Sequence, residues 1–195
     1  MAQNLEGTKT LVNLAKAFAG ECQAGARYQF TGKKAQKEGY EQIMQLFKTL
    51  AKNEMAHALI YYNFITQNCT IKIDDIKINT GYPFKCGTLA EELIYSAENE
   101  QSEAENIYPA YAATAKKEGF ADIAAAFEMI AQIETLHMQK LQQVGEMLKD
   151  GSLYKKPQPQ NWVCAECGHE DTLKSAWKIC PVCKYAQGYV QLPLQ

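Results

Sequence analysis

The chain has 195 residues, of which 47% are hydrophobic and 22% are charged, and its formal net charge is −2. This composition is typical of a globular protein with one substantial core and a small appended unit. The net charge gives no indication of nucleic acid or anionic membrane as a partner, and we expect neither. Residues 1 to 10 are polar, and Asn13 and Lys16 interrupt the apolar stretch that follows, so we expect neither a signal peptide nor a membrane span.

Two long helices are predicted in the first third of the chain, over residues 8 to 38 and 40 to 67, with Gly39 between them. Residues 68 to 87 break the helical pattern and contain Ile71, Ile73, Ile76 and Ile78 as apolar contacts. About twenty extended residues reach roughly 66 to 70 Å, whereas a helix of about thirty residues is about 45 Å long. The segment is therefore predicted to cross the full length of a helix bundle, with a short strand as the alternative.

A third helix is predicted to begin at a capping box formed by Thr88 and Glu91. Pro109 falls inside this helix and should kink it. Gly119 separates it from a fourth helix, which ends near residue 150. Residues 1 to 150 are therefore predicted to form an all-α unit, a ferritin-like four-helix bundle with one long crossover.

One stretch of the chain occurs twice, 80 positions apart. Residues 35 to 57 match residues 115 to 137 without a gap at several positions, among them Gly39, Ile43, Phe47, Glu54 and His57 of the first copy. Each copy ends in Glu-x-x-His. A helical residue and the third one after it project from the same face, so each pair can bind one metal ion.

Both Glu-x-x-His pairs interrupt apolar seams of the kind that helices bury in a bundle. A buried carboxylate without a partner costs several kcal/mol or is neutralised, so a metal ion is the expected compensation. The first and third helices carry further glutamates on their inward faces. Seven residues are predicted to converge in the middle of the bundle: Glu21, Glu54, His57, Glu100, Glu103, Glu134 and His137.

The alternative is that these acids are solvated surface residues, as most glutamates are. The repeat and the position of seven such residues on four seams favour the metal site. Five carboxylates carry a charge of −5, which two ferrous or two ferric ions would nearly balance. Mixed carboxylate and imidazole ligands suit iron or manganese better than thiolate-seeking metals.

Tyr28 and Tyr108 are also 80 positions apart and lie on the inward side of their helices. They are predicted either to fill the core or to hydrogen-bond the ligand carboxylates, and the two roles are compatible.

Seven cysteines are present, and four of them form two Cys-x-x-Cys pairs, Cys164 with Cys167 and Cys180 with Cys183. Paired motifs and an odd total favour a reducing cytoplasm and metal binding over a disulfide framework. Cys22, Cys69 and Cys86 are expected to be free thiols.

Residues 151 to 161 contain two prolines and are predicted to be a semi-rigid linker. Residues 162 to 195 are too few for a core without a metal, and the four cysteines predict a tetrahedral site for iron or zinc.

With this ligand set, followed by Cys-x-x-Cys, a gap of twelve residues and Cys-Pro-Val-Cys, the chain resembles the rubrerythrin family along essentially its whole length. The resemblance implies a non-haem di-iron peroxidase that reduces hydrogen peroxide in oxidative-stress defence. It also implies one iron in a rubredoxin-like domain over residues 162 to 195, with zinc as the second choice. Glu54 and Glu134 are implied to bridge the two irons. His57 and Glu103 are implied to alternate as ligands of one iron.

The expected partners follow from the same resemblance and from distance. His137 lies about 18 Å from the end of the fourth helix, so the two metal sites of one chain should be too far apart for fast electron transfer. A head-to-tail homodimer is therefore expected, with a rubredoxin or an NAD(P)H-dependent reductase as the electron donor. Iron storage, an oxygen-activating oxidase and an inert bundle with a zinc ribbon are the alternatives.

Overall fold

We describe the computed structural model of the chain over residues 4–69 and 73–194; Ile71 lies outside this range. The predicted four-helix bundle is confirmed. Its helices are α1 (Lys9–Lys37), α2 (Glu41–Gln67), α3 (Leu89–Ser102), α4 (Tyr108–Lys117) and α5 (Ala121–Lys149). The third helix of the bundle consists of α3, a π-helical segment (Glu103–Ile107) and α4.

The helix ends follow from local sequence. The capping box is present at the start of α3, where Thr88 and Glu91 exchange side-chain to backbone hydrogen bonds. The helical hairpins turn at Gly39 and Gly119, which adopt φ angles of 85° and 90° that favour glycine. In both turns the third residue after the helix bonds back five positions, from Tyr40 N–H to the carbonyl of Ala35 and from Phe120 N–H to the carbonyl of Ala115. The sequence repeat therefore specifies two similar hairpins.

The crossover runs along α1 from one end to the other. At its start the carbonyl of Asn68 accepts a hydrogen bond from Leu5 N–H at 2.9 Å. Midway, the Tyr82 hydroxyl donates to the carbonyl of Lys16 at 3.2 Å, and at its end the Lys34 ammonium donates to the carbonyl of Gly87. Its described residues, 73 to 88, contain no strand. The single long crossover is confirmed.

Two apolar clusters fill the bundle on either side of its middle. One includes Leu14, Tyr61 and Phe127, and the other includes Phe47 and Leu141. The residues between these clusters are polar and buried. Among the described residues, no helix combines the length and apolarity needed to span a membrane.

The small domain differs from the prediction at the stretch expected to be a linker. Residues 155 to 161 belong to β1 (Lys155–Val163), which pairs antiparallel with β2 (Glu170–Ser175). The register is irregular between Lys155 and Gln160, the part that contains Pro157 and Pro159. Proline is tolerated here because both strands of a two-stranded sheet are edge strands.

The small domain packs against the turn between α1 and α2. The rings of Tyr40 and Tyr154 stack with centroids 6.5 Å apart. Gly188, in a short 3-10 helix (Gln187–Tyr189), lies so close to Gly39 that a β-carbon would overlap the Gly39 carbonyl. Within one chain, the small domain therefore lies at the end of the bundle where α2 begins.

Candidate metal centres

The middle of the bundle brings together six of the seven predicted ligands. Their nitrogen and oxygen atoms form two groups, and within each group the ligand atoms lie within 4.8 Å of one another. The first group is Glu21, Glu54, His57 and Glu134, and the second is Glu54, Glu100, Glu134 and His137. All six residues are buried. Because Glu54 and Glu134 belong to both groups, the geometry suits two adjacent metal ions that share two carboxylates.

The two histidines point the same ring nitrogen inward. Nδ1 of His57 lies 2.9 Å from Oε1 of Glu134 and 3.2 Å from Oε2 of Glu54. Nδ1 of His137 lies 2.6 Å from Oε2 of Glu134 and 3.2 Å from Oε1 of Glu54. The near two-fold arrangement reproduces the sequence repeat in three dimensions.

The tyrosines connect the hairpins through the site. The hydroxyl of Tyr28 donates a hydrogen bond to Glu100, and the hydroxyl of Tyr108 donates to Glu21. Each bond joins the first helix of the bundle to the third. Both rings also belong to the apolar core. The ring centroids of Tyr28 and Phe47, for example, lie 5.6 Å apart. The two predicted roles of these tyrosines therefore occur together.

The buried polar atoms of the site suit metal ions. In the described part of the chain, Glu21 Oε2 and Glu100 Oε2 are buried and have no hydrogen-bond partner. Burial raises the pKa of both carboxyls well above the ordinary value, and the charges of Glu54 and Glu134 add to this effect. Concentrated, unsatisfied carboxylate oxygens beside two imidazoles are what a pair of divalent cations would neutralise. The residues present therefore fit a di-iron centre.

The histidines and glutamates of the cluster shift one another's pKa values. Burial disfavours a charged imidazole, but hydrogen bonds to Glu134 and Glu54 outweigh it and raise the pKa of His57 and of His137 to about 9. Burial likewise opposes ionisation of Glu54, yet the two imidazoles lower its pKa to about 2. Without metal, protons are the cations that balance the carboxylates.

Glu103 lies beside the two groups but belongs to neither. It is half-buried, and it lines a cavity of about 200 Å³ together with Gly20, Tyr82, Tyr108 and Tyr111. Burial, together with the charges of Glu134 and Glu54, raises the pKa of Glu103 to about 8. Glu103 is the most solvent-accessible of the seven residues, so this cavity is the side from which the site meets solvent.

The π-helical segment that starts at Glu103 was not predicted, although Pro109 signalled a disturbance. A proline ring collides with the carbonyl four residues earlier, which is that of Glu105. The backbone widens instead, and Tyr108 N–H bonds the carbonyl of Glu103, five residues back. Such segments are frequent at functional sites, and this one determines where Glu103 projects.

Asn53 was also missed by the sequence analysis. Its half-buried amide Nδ2 lies 3.2 Å from Nε2 of His137, on the ring edge that faces away from the carboxylates. A polar residue directly before Glu54 was the available signal.

The four predicted cysteines form one cluster whose sulfur atoms lie within 4.8 Å of one another. Sγ of Cys164 is 3.6 Å from Sγ of Cys183, and Sγ of Cys167 is 3.7 Å from Sγ of Cys180. Despite burial, backbone N–H groups of Cys183 and Val182 lower the pKa of Cys180 to about 6, which favours the metal-binding thiolate. The cluster fits the predicted tetrahedral iron site. The three scattered cysteines are free thiols: Cys22, Cys69 and Cys86.

The outer faces of the two helices that carry Glu-x-x-His expose apolar side chains. Exposed stripes consist of Met55 and Leu59 on α2, and of Met129, Ile133 and Leu136 on α5. The cysteine domain exposes Ile179 and Val182 beside its metal ligands, with 61% and 63% of their surfaces accessible. Exposed apolar surfaces of this kind mark interaction sites.

Comparisons with known proteins agree with this geometry. The family model described as Rubrerythrin matches residues 12–145. A rubrerythrin of Clostridium perfringens is 38% identical over 191 residues, which cover 97% of each chain. Rubrerythrin-1 of Clostridium acetobutylicum is 38% identical over 193 residues, again with 97% of each chain covered. The fold is similar to that of a structure described as the fully reduced state of nigerythrin (all ferrous), with a TM-score of 0.61 and 23% identity over 97% of this chain and 92% of that one.

Proposed function

Because the chain belongs to the rubrerythrin family, which has a di-iron site and is linked to oxidative stress, we propose that it is a non-haem di-iron peroxidase that reduces hydrogen peroxide to water. The observation that carries this proposal is the pair of buried ligand groups that share Glu54 and Glu134. A half-buried extra carboxylate, Glu103, lies beside them and lines a small cavity.

The residues divide naturally between two ions. Glu21 and His57 would hold one iron, Glu100 and His137 the other, and Glu54 and Glu134 both. When bound, the two irons supply the two electrons that the reduction requires, H2O2 + 2 e⁻ + 2 H⁺ → 2 H2O. The buried tyrosines fix the orientation of Glu21 and Glu100, so that these carboxylates are held in place before metal binds.

The cavity at Glu103 limits the size of the substrate. Its volume of about 200 Å³ holds a hydrogen peroxide molecule and a few waters, each of which occupies about 30 Å³ in the liquid. Tyr82, Tyr108 and Tyr111 line the cavity and offer hydroxyl groups for the transfer of the two protons. The cavity therefore suits hydrogen peroxide, the proposed substrate.

We propose that His57 and Glu103 alternate as ligands of one iron. Glu103 lies close enough to the cluster for the charges of Glu134 and Glu54 to act on it. The chemical reason is that a ferric ion prefers an anionic oxygen ligand, whereas a ferrous ion tolerates neutral imidazole.

Electron supply requires a second subunit in this proposal. The small domain lies at the Gly39 end of the bundle, and Glu41 is 13 residues from Glu54, or about 20 Å along the helix. That distance is too long for fast electron transfer within one chain. We propose a head-to-tail homodimer in which the exposed Ile179 and Val182 of one subunit dock on the apolar stripes of the other.

The electron donor in this proposal is a rubredoxin or an NAD(P)H-dependent reductase, and the compartment is the cytoplasm. The seven unpaired cysteines support a reducing compartment.

Mixed dimers test the head-to-tail arrangement. One subunit would carry Glu134→Ala and the other Cys180→Ser, and neither homodimer should turn over peroxide. In a head-to-tail dimer the mixture regains activity, because one intact cysteine site faces one intact di-iron site. A mixture as inactive as the doubly substituted control would contradict the arrangement.

Turnover assays test the activity. With a reduced rubredoxin-type donor, peroxide consumption should exceed oxygen uptake, and iron should not accumulate. Iron storage is the second candidate function, and accumulation of iron without consumption of donor would favour it. The four-cysteine domain argues against storage, since storage requires no electron carrier.

A further inference from the structure

The two histidines of the di-iron site differ in what lies behind them. Nε2 of His137 is 3.2 Å from the amide of Asn53. In the described part of the chain, no side chain hydrogen-bonds Nε2 of His57. The inward nitrogens, in contrast, have closely similar surroundings, as both contact Glu54 and Glu134.

The sequence repeat explains this difference. Asn53 directly precedes Glu54 on α2, and the matching position 80 residues later is Ile133, directly before Glu134 on α5. By the near two-fold arrangement, Ile133 is the counterpart of Asn53 and the residue that we expect behind His57. An isoleucine side chain has no group that can bond an imidazole nitrogen, so among the described residues only His137 has a side-chain partner at Nε2.

The chemistry of imidazole ligands makes the partner important. A histidine that binds metal through Nδ1 carries its proton on Nε2, and a hydrogen bond at Nε2 fixes the tautomer and the ring orientation. The amide of Asn53 can serve in either state. It donates through Nδ2 when Nε2 is unprotonated, and after turning over it accepts through Oδ1 when Nε2 carries a proton.

We propose that Asn53 is a positioning residue that keeps His137 on its metal ion. We also propose that Ile133, which has no polar group, allows His57 to dissociate from the other ion. The second half rests on the proposed exchange of His57 for Glu103. Removal of a hydrogen-bond partner of this kind typically costs 10- to 100-fold in metal affinity, so Asn53→Leu should weaken metal binding by about that factor.

Nitrogen-15 NMR of the full chain loaded with Zn²⁺, which is diamagnetic, tests the first half without any assay of activity. The Nε2 proton of His137 should exchange slowly with solvent, and that of His57 should exchange fast. Asn53→Leu should abolish the protection of His137, and Ile133→Asn should create protection of His57. His169 in the small domain should not change in either variant, and Ile133→Leu controls for packing.

Fast exchange at His137 in the unsubstituted protein, or slow exchange that persists in Asn53→Leu, would overturn the assignment of Asn53. Crystal structures of the reduced and oxidised iron protein test the second half. His57 should leave its ion on oxidation in the unsubstituted protein and in Ile133→Leu, but stay in Ile133→Asn. If His57 leaves in Ile133→Asn as well, the role of Ile133 is wrong. If His57 leaves in none of the proteins, the exchange itself is wrong, whereas the NMR result for Asn53 stands.

Discussion

Tyr28 on the first helix donates a hydrogen bond to Glu100 on the third, between two fully buried side chains. The bond has a counterpart 80 residues later, where Tyr108 donates to Glu21. Each tyrosine thus orients a ligand of the other hairpin. The metal centre and the packing of the two hairpins are therefore coupled.

Substitution of Tyr28 by Phe should keep the core contact with Phe47 but leave Glu100 without its donor. We expect metal affinity to fall by about 10- to 100-fold, and the free energy of unfolding of the metal-free protein to change little, because loss of this bond also makes protonation of Glu100 easier. Chelator competition measures the affinity. Tyr62→Phe, at a half-exposed site on α2, is the control and should bind metal normally. Equal affinities in the two variants would contradict the role of Tyr28.

Substitution of Gly20 tests the cavity as the route for peroxide. A β-carbon at Gly20 would lie 3.8 Å from Cε1 of Tyr82 and 3.9 Å from Oε1 of Glu103, which are ordinary contacts. Gly20→Ala should therefore be tolerated, whereas the larger side chain of Gly20→Leu should fill the cavity. We expect Gly20→Leu to slow oxidation by peroxide at least about tenfold, at unchanged metal content, as measured by stopped-flow absorbance. Unchanged rates in Gly20→Leu would mean that peroxide approaches from another side.

Removal of the metal should make stability depend on pH in a defined direction. His57 and His137 have pKa values raised to about 9 from an ordinary 6.5, so their contribution is complete below pH 6.5 and is lost as the pH rises toward 9. The pKa of Glu103 is raised from 4.5 to about 8, so this carboxyl destabilises the fold increasingly as the pH rises from 4.5 to 8. The pKa of Glu54 is lowered from 4.5 to about 2, so this carboxylate stabilises the fold above pH 4.5. Its contribution is lost as the pH falls from 4.5 toward 2.

Urea denaturation of the metal-free protein should accordingly show stability that declines steadily from about pH 5 toward pH 9. The metal-loaded protein should decline less, because bound cations replace the protons. A metal-free protein that gains stability between pH 6 and 9 would contradict the raised pKa values of His57, His137 and Glu103.

Lys184 marks a strained position in the second cysteine loop. Its φ angle is 66°, in the left-handed region, and the corresponding residue of the first loop is Gly168 with a φ angle of 74°. A side chain in this conformation costs roughly 1 kcal/mol. Lys184→Gly should therefore slow release of iron from the four cysteines, and Gly168→Ala should speed it. Equal release rates in the two variants would show that the backbone angle does not limit the site.

Local sequence was sufficient to predict the helices and the inward faces on which the two Glu-x-x-His pairs lie. The repeat fixed Glu54 and Glu134 on equivalent faces, and the structure places both in the shared position between two groups. Periodicity identifies an inward face because a helix has a constant angle per residue. Gly39 and Gly119 ended their helices as predicted.

What the sequence could not predict depends on contacts between helices. Periodicity places Tyr28 on an inward face but does not identify Glu100, on another helix, as its partner. The same holds for Asn53 and His137. The prolines of strand β1 disfavour a sheet and therefore predict a linker. Their edge position follows only from the pairing with β2, which the sequence of β1 does not show.

The most direct test of the peroxidase proposal is the visible spectrum of anaerobically purified, reduced protein before and after one equivalent of hydrogen peroxide, with metal analysis of the same sample. The proposal predicts iron in both the bundle and the four-cysteine site, and a colourless protein that turns red as peroxide is consumed. The red colour reports oxidation of the iron held by Cys164, Cys167, Cys180 and Cys183. Zinc at the cysteines, or consumption of peroxide without any colour, would contradict electron transfer between the two sites and favour iron handling by the bundle alone.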